Sequence, residues 1–590
     1  MIKMMLIGLD SASLTIMEHF SAHCPTIQNQ MKLGVSGRAM PGLPVYTPTN
    51  WANLCTGAIA SVSGQEGWRK VVDGYEYHSF HSKTYNCETI FDACNKNGIY
   101  SLAVSYPGSY PVPGEYNMAI LPLQRGLEGN ILMQGRIIPV DAALSMSFTL
   151  PGAGEGMDVA VSDGANDTDN QDLNFTIVSA QAELILKDGG GELTVCYAGG
   201  SKSIFQIEPD AWSDTITIYM QAGDMSKKCG IRVNLFDDGK QLAISGLYDM
   251  DNIAAPLKLA QDIENQLGMP ITEQSPFIAE MISLFKKGGE CPAINKMAHK
   301  DVFENIDFIM NAARIAEKQQ PYEVFYIHYH FLDNMLHHVL QAAEESAAYT
   351  KQQHRIAQDI VKLAIEACDY AVKKLLELTN KGTNVLIVSD HGHAPNKYGV
   401  NITNRLVETG LCVKKADGAV DKQKSKAWLS GLVSLWIDVN AERGSDEYIK
   451  IQEEAIDAML DWKTPSGKRI VAAAFKRKDS HFLGYQGPRC GDVTLHLNTG
   501  FAWTATGDDV FCEDLKSSNH GPQMPVTFTK VSDNLAYFCL TGPQVNKNMR
   551  WDEEERGYIY LTDFVPTLCH FSGIPTPINA TGAVRRELFV

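Results

Sequence analysis

Five short segments carry residue types able to act together chemically. The first, Leu6-Ile7-Gly8-Leu9-Asp10, is an apolar run that ends in a carboxylate. A strand that stops on Asp offers a rigid oxygen ligand, although Asp in that place more often makes a turn or a helix cap. The second, Asp390-His391-Gly392-His393, follows the apolar run Val385–Val388 and sets a hard oxygen beside an imidazole nitrogen. Gly392 lets the backbone bend so that both can face one cation, and Zn²⁺ accepts such mixed ligation. A satisfied turn is the plainer alternative, and His393 reads as either a supporting group or an exposed one. In Asp333-Asn334-Met335-Leu336-His337 the i, i+4 spacing puts carboxylate and imidazole on one helix face. That suits a metal, and it is also an ordinary surface pair. His338 points about 100° away. Asn519-His520-Gly521-Pro522 places a lone His in a Gly-Pro turn. The last segment, Val45-Tyr46-Thr47-Pro48-Thr49-Asn50-Trp51, offers two hydroxyls ahead of Cys55-Thr56-Gly57. A threonine hydroxyl is a weak nucleophile at neutral pH unless a divalent cation lowers its pKa.

Strands and helices must bring these segments to one place. Apolar runs at Met4–Leu9, Leu102–Ser105, Val324–Tyr329 and Val385–Val388 read as buried strands. Helical patterns lie between them: about Leu14 to Leu33, Glu88–Asn97, and a long stretch from about Asp333 to Leu378. Strands alternating with helices predict an α/β domain with a mostly parallel sheet, whose ligands sit at the carboxyl ends of the strands. Asp10 and Asp390 both stand there. From about 125 to 265 the pattern changes to short strand-like segments: Leu173–Val178, Glu183–Lys187, Glu192–Ala198, Thr215–Met220 and Gly230–Phe236. Turn-rich stretches such as Asp188-Gly189-Gly190-Gly191 and Asp237-Asp238-Gly239-Lys240 separate them. The triple glycine lacks the GK[ST] ending of a phosphate loop and reads as a hairpin turn. Helical patterns close the region from about Ile253 to Asn311. The predicted organisation is a catalytic domain over 1–125 and 320–590, with a β-rich inserted domain with a helical end over 126–319.

The bulk composition bounds the partners. A chain of 590 residues with 44% apolar and 20% charged residues is globular and long enough for two or three cores. Its formal net charge of −18 argues against binding a nucleic-acid polymer or an anionic membrane surface. A small anionic substrate stays compatible, since a bound cation dominates the local field. The 13 cysteines are scattered with no C-x-x-C pair, which excludes a cysteine zinc site and predicts reduced thiols in a cytoplasmic protein. No apolar run reaches the roughly 18 residues needed to span a bilayer. Oligomeric state is not legible.

In chain order these segments resemble the alkaline phosphatase superfamily, and within it the type I phosphodiesterase/nucleotide pyrophosphatase family. The resembling features are Asp10 after the first strand, Thr47 through Thr56-Gly57, Asp333/His337, Ser389-Asp390-His391-Gly392 and the late His520-Gly521. The ending Leu561-Thr562-Asp563-Phe564-Val565-Pro566-Thr567 is similar to the family's final helix, and the stretch from Lys426-Ala427-Trp428 to Asn440 also looks similar. The resemblance implies an alkaline phosphatase-like fold, α/β with a mostly parallel sheet sandwiched by helices, carrying a β-rich inserted cap. It implies two divalent cations, Zn²⁺ first and Mn²⁺ as the other fit: one on Asp10, Thr47, Asp390 and His391, the other on Asp333, His337 and His520. The family nucleophile stands ten residues before the glycine of the T-G pair, which selects Thr47 over Thr49. Asn50 falls where related members place an asparagine on a phosphoryl oxygen. After Gly57, however, the chain runs Ala58-Ile59-Ala60-Ser61 without the Pro and His common in the family.

The implied activity is hydrolysis of a phosphoester, with a diester or nucleotide pyrophosphate expected, through a covalent phospho-threonine. The partner is then a small phosphorylated substrate. Phosphonate hydrolase and phosphomonoesterase are alternatives on the same kind of site. A sulfatase would need C-x-P-S-R, which is absent. Outside enzymes, the alternative is a degenerate hydrolase acting as a binding protein. Trp51, Trp68 and Tyr75 lie near the nucleophile in sequence and read either as core or as a base-stacking group.

Overall fold

Alternation in three apolar runs organises the molecule. In the computed structural model Met4, Leu6, Val324, Tyr326, Leu386 and Val388 belong to one core cluster, while Met5, Ile7, Phe325, Ile327, Val385 and Ile387 belong to another. Successive side chains of a strand point to opposite faces, so these runs are strands buried on both sides. Each fully buried Leu, Ile or Val contributes about 1.5–3 kcal/mol to that burial. The structure describes residues 1–123, 130–140, 145–150, 158–162, 172–177, 180–187, 190–197, 200–222, 225–344, 346–431, 435–484, 490–504, 509–521 and 523–590.

The central sheet has ten strands. They are β1 (Met4–Leu9), β2 (Val35–Met40), β3 (Ser101–Val104), β4 (Asn117–Ile120), β5 (Ala254–Ala255), β6 (Val324–Tyr329), β7 (Asn384–Val388), β8 (Ala536–Thr541), β9 (Met549–Arg550) and β10 (Ile559–Tyr560). Their spatial order is β5-β4-β3-β6-β1-β7-β8-β2-β9, with β10 also beside β2. The six strands β4, β3, β6, β1, β7 and β8 run parallel except for β8, which pairs antiparallel with both β7 and β2. The decisive register is at the centre: Leu9 lies opposite Tyr329, and Gly8 opposite Val388. The residues that follow β6, β1 and β7 therefore emerge side by side at one sheet edge.

Helices cover both faces. The helices α1 (Thr47–Thr56) and α5 (Leu561–Ser572) contribute to one core cluster. On the other face lie α2 (Pro292–Gln319), α3 (Phe331–Ala343) and α4 (Lys351–Leu376). Two expected helices are each divided in the structure. The pattern over 14–33 is Leu14–His19, a 3₁₀ turn and Pro25–Leu33, because Pro25 opens a new helix. The stretch 333–378 is α3 and α4, and Thr350 begins α4 with a capping box to Gln353.

The region predicted to be β-rich is so. Antiparallel strands Ala180–Lys187, Gly190–Cys196, Lys202–Ile207, Ile216–Ala222, Met225–Ile231 and Val233–Phe236 build sheets separate from the central one. Leu184, Leu193, Ile218, Leu235 and Leu242 share a separate apolar cluster there. Lys187 pairs with Gly190 across the expected hairpin, whose Asp188 and Gly189 lie outside the described residues, as does Val178 of the expected Leu173–Val178 strand. The helices Leu257–Leu267, Pro276–Lys286 and α2 pack instead into the main core, where Leu259, Phe277 and Met297 join β1 and β6 residues. No helix of the described residues is long and apolar enough to cross a membrane.

Candidate active site

Strand ends place the acids. Asp10 follows β1, His330 and Asp333 follow β6 at the start of α3, and Asp390-His391 follow β7. Gly8 has a steric reason: a Cβ there would fall 2.4 Å from the Trp51 ring. The bare glycine lets Trp51 of α1 lie against β1, where its Nε1–H donates to Asp10 Oδ2 at 3.3 Å. His328 Nε2 lies 2.7 Å from the same oxygen. Asp10 Oδ1 is left buried with no hydrogen-bond partner. The turn after β7 is equally constrained. His393 N–H donates to Asp533 O and Gly392 N–H to Asn534 O. A Cβ on Gly392 would lie 1.8 Å from Asp533 O, so only glycine fits. Asp390 Oδ1 accepts from His391 N–H at 3.0 Å, and Oδ2 is buried without a hydrogen bond.

The histidines share one arrangement. His391 Nδ1 lies 3.0 Å from Gly392 O, His337 Nδ1 3.0 Å from Ser518 O and His520 Nδ1 2.9 Å from Val45 O. A carbonyl only accepts, so each Nδ1 carries a proton, and in the neutral ring that leaves the Nε2 lone pair turned toward the acids. Around His391 Nε2 stand Asp390 Oδ2 at 2.9 Å, Thr47 Oγ1 at 3.4 Å and Asp10 Oδ1 at 3.9 Å. His337 Nε2 lies 3.3 Å from Asp333 Oδ2, and His520 Nε2 4.0 Å from Asp333 Oδ1. Asp10, Asp390 and His391 have ligand atoms within 4.8 Å of one another, as do Asp333, His391 and His520.

The structure thus brings together Asp10, Thr47, Asp333, His337, Asp390, His391 and His520. All are buried except His337, which is half-buried. Asn50 is buried beside them in α1, with its side chain engaged: Oδ1 accepts from Gly42 N–H at 2.7 Å, and Nδ2 donates to Gly42 O at 3.3 Å. Thr49 donates its hydroxyl to Gln65 O at 2.7 Å, whereas Thr47 Oγ1 faces His391. Thr47 is the first residue of α1, at the positive end of the helix dipole. Pro522 lies outside the described residues.

Charge balance also bears on cation binding. Burial, then the neighbouring Asp390 and Asp333, push the Asp10 carboxyl up to about 6. Burial and Asp333 push Asp390 well above the carboxylate range. Burial lowers His391, and burial together with His391 holds His520 well below the usual imidazole value. Burial would raise Asp333 too, but His337 and His330 outweigh it and hold it low. Asp333 in turn outweighs burial and raises His337. Converging imidazole nitrogens and orphaned carboxylate oxygens form a donor set suited to divalent cations, which would displace that proton on binding.

Several neighbours escaped the sequence reading. Ser11, at φ 61°, donates its hydroxyl to Asp333 Oδ1 at 2.5 Å and lies 3.1 Å from His393 Nδ1. His330 bridges Asp333 Oδ2 at 3.1 Å and Glu273 Oε1 at 2.8 Å. His328 lies in β6 and His330 just beyond it at the start of α3, with their rings 5.8 Å apart. His393, left open between a supporting and an exposed group, is fully buried.

A doubly covered, mostly parallel sheet with acids and histidines at one edge defines an alkaline phosphatase-like α/β hydrolase. The model of the type I phosphodiesterase/nucleotide pyrophosphatase family matches residues 4–170 and 259–523. The chain belongs to that family, whose members are metal-dependent phosphoester hydrolases. A mutant of the alkaline phosphatase PafA matches with a TM-score of 0.50 at 10% identity, covering 100% of this chain and 98% of that one, which shows the fold. Murine ectonucleotide pyrophosphatase/phosphodiesterase 5, solved in an inactive form with AMP, is similar at 12% identity and a TM-score of 0.47, with 100% of each chain covered. A search of curated proteins found no match.

Proposed function

We propose that the protein hydrolyses a small phosphodiester or nucleotide pyrophosphate, with Thr47 as nucleophile and two cations at the site. The single observation that supports this most is the lone-pair cluster around His391 Nε2, where Thr47 Oγ1 meets two orphaned carboxylate oxygens. Asp10, Thr47, Asp390 and His391 would hold one cation, and Asp333, His337 and His520 the other. Bound cations would supply Lewis-acid stabilisation of the phosphoryl group and a lowered pKa for the Thr47 hydroxyl. Zn²⁺ is the proposed ion because the set holds three histidines, with Mn²⁺ as the other fit.

Thr47 Oγ1 attacks phosphorus in line. The Oγ1–P bond forms as the hydroxyl proton passes to solvent, the bond to the leaving oxygen breaks, and a phospho-threonine remains. Water then cleaves the Oγ1–P bond from the side the leaving group vacated, returning the hydroxyl and retaining configuration at phosphorus. The N-terminal end of α1 favours the negative charge that builds there. Asn50 spends one N–H on Gly42 O, which leaves the second for a phosphoryl oxygen. The β-rich region, with its separate core, serves as an inserted cap within 126–319. A cytosolic location belongs to the same reading, since the 13 cysteines are free thiols, and cell fractionation checks it.

The test is Thr47→Ala assayed on bis-p-nitrophenyl phosphate with added Zn²⁺ or Mn²⁺. Turnover is expected to fall about a thousandfold or more, as for other lost nucleophiles. Near-normal turnover sinks Thr47 as nucleophile. Rates on a phosphomonoester, a diester and a phosphonate then fix the substrate class.

A further inference from the structure

We infer that His393 is a ligand of the second cation, which would then be held by Asp333, His337, His393 and His520. This rests on the two-cation reading above and adds a residue to it. Ligand atoms of Asp333, His337 and His393 lie within 4.8 Å of one another. That set shares no member with the Asp10, Asp390 and His391 group, so the donors divide cleanly between two ions. The Asp333, His391 and His520 group, by contrast, borrows His391 from the first site. His393 also stands nearer to the shared carboxylate than His520 does. Its Nδ1 is 3.4 Å from Asp333 Oδ1, against 4.0 Å for His520 Nε2.

Protein groups engage only one of the two ring nitrogens, Nδ1, which lies beside Ser11 Oγ and Asp333 Oδ1. His393 is fully buried, and its Nε2 makes no hydrogen bond. An unsatisfied ring nitrogen at that depth costs free energy unless something binds there. Its ring packs edge-on against His337, with centroids 4.5 Å apart, and lies 5.6 Å from His520. Ser11 completes the arrangement: its hydroxyl touches both Asp333 Oδ1 and His393 Nδ1, which fixes the imidazole beside the carboxylate. The backbone fixes the other end, through His393 N–H to Asp533 O. A second-site set of one carboxylate and three imidazoles suits Zn²⁺ well.

Metal binding tests this without reference to turnover. The full chain, stripped with a chelator, is titrated with Zn²⁺ against a chromophoric competitor, and the zinc is counted by mass spectrometry. Wild type is expected to bind two equivalents. His393→Ala should keep the first and weaken the second at least about tenfold, the loss typical of disturbed zinc shells. X-ray absorption of the two-zinc wild type needs no variant and covers the case in which His393→Ala does not fold. Four imidazoles shared by two ions support the assignment, and three overturn it. Two equivalents bound with equal affinity by wild type and His393→Ala also overturn it while leaving the two-cation reading intact. Fewer than two equivalents on the wild type removes that reading itself, and this one with it.

Discussion

Carboxylates buried at the sheet edge and under the β-rich region settle their charge differently. At the sheet edge Asp10, Asp333 and Asp390 crowd together among histidines, with Asp10 Oδ1 and Asp390 Oδ2 unpartnered. Under the β-rich region Asp301 of α2 is buried outside any such cluster; its Oδ1 accepts from Trp212 Nε1 at 2.7 Å, and its Oδ2 is likewise without a hydrogen bond. Burial pushes Asp301 up to about 7. A single acid can lose its charge by taking a proton. Three acids that converge with imidazole nitrogens instead form a donor set suited to cations. Burial of an acid is therefore not by itself a functional sign; convergence of donors is.

The largest break in that comparison is Asp390→Ala. Removing one of the two orphaned oxygens should cost the first cation and about a thousandfold in diester hydrolysis. Zinc counting and kcat/KM check it together. Full zinc content with normal rates would show that the sheet-edge acids are no more functional than Asp301. Next comes Gly392→Ala, which attacks the support instead of the ligand. Its methyl would meet Asp533 O at 1.8 Å, so the turn must shift. A loss of about 3 kcal/mol in urea unfolding is expected, with weakened metal binding. An unchanged midpoint would mean that the turn accommodates a side chain and positions nothing.

Asp301→Asn sharpens the other side of the comparison. An acid whose pKa is raised on folding binds more protons in the native state, so stability falls as pH rises through the folded value. The contribution of Asp301 is fully present below about pH 4 and is lost by about pH 7. The asparagine variant removes that slope, so its stability relative to wild type should rise by on the order of 4 kcal/mol between pH 4 and 8. Parallel unfolding curves across that range would refute it.

Much of the candidate site was legible because its residues stand at strand ends or at helical spacing, both of which a sequence displays. Asp10 and Asp390 follow apolar runs, and Asp333/His337 sit one helical turn apart. The supporting residues were not legible, because register decides them. Ser11 matters only because β1 lies between β6 and β7, and Glu273 only because a loop from the helical end of the inserted region reaches His330. Asn50 shows the opposite case, a position that sequence marks and whose local contacts it does not. Its position resembles that of a substrate ligand, yet a local contact with Gly42, eight residues away, occupies much of its amide. The split of 333–378 into two helices had a readable signal in Thr350 and Gln353, which the apolar period alone overlooks.

The smallest expected effect concerns Glu273, which reaches the sheet edge from the helical end of the inserted region. Its Oε1 lies 2.8 Å from His330 Nδ1, and His330 Nε2 lies 3.1 Å from Asp333 Oδ2. Glu273 also lines a cavity of about 70 Å³ with Tyr248, Asn305 and His328, between the inserted region and the sheet edge. Through His330 it orients an Asp333 oxygen without touching the nucleophile. Glu273→Gln keeps the shape and removes the charge, so His330 should remain in place but hold Asp333 less firmly. The expected result is about a three- to tenfold weaker second zinc equivalent, with the first unchanged and stability within about 0.5 kcal/mol. Equal loss of both equivalents would mean that Glu273 acts on the whole fold. No loss at all would mean that α3, which fixes the Asp333 backbone, orients its carboxylate unaided.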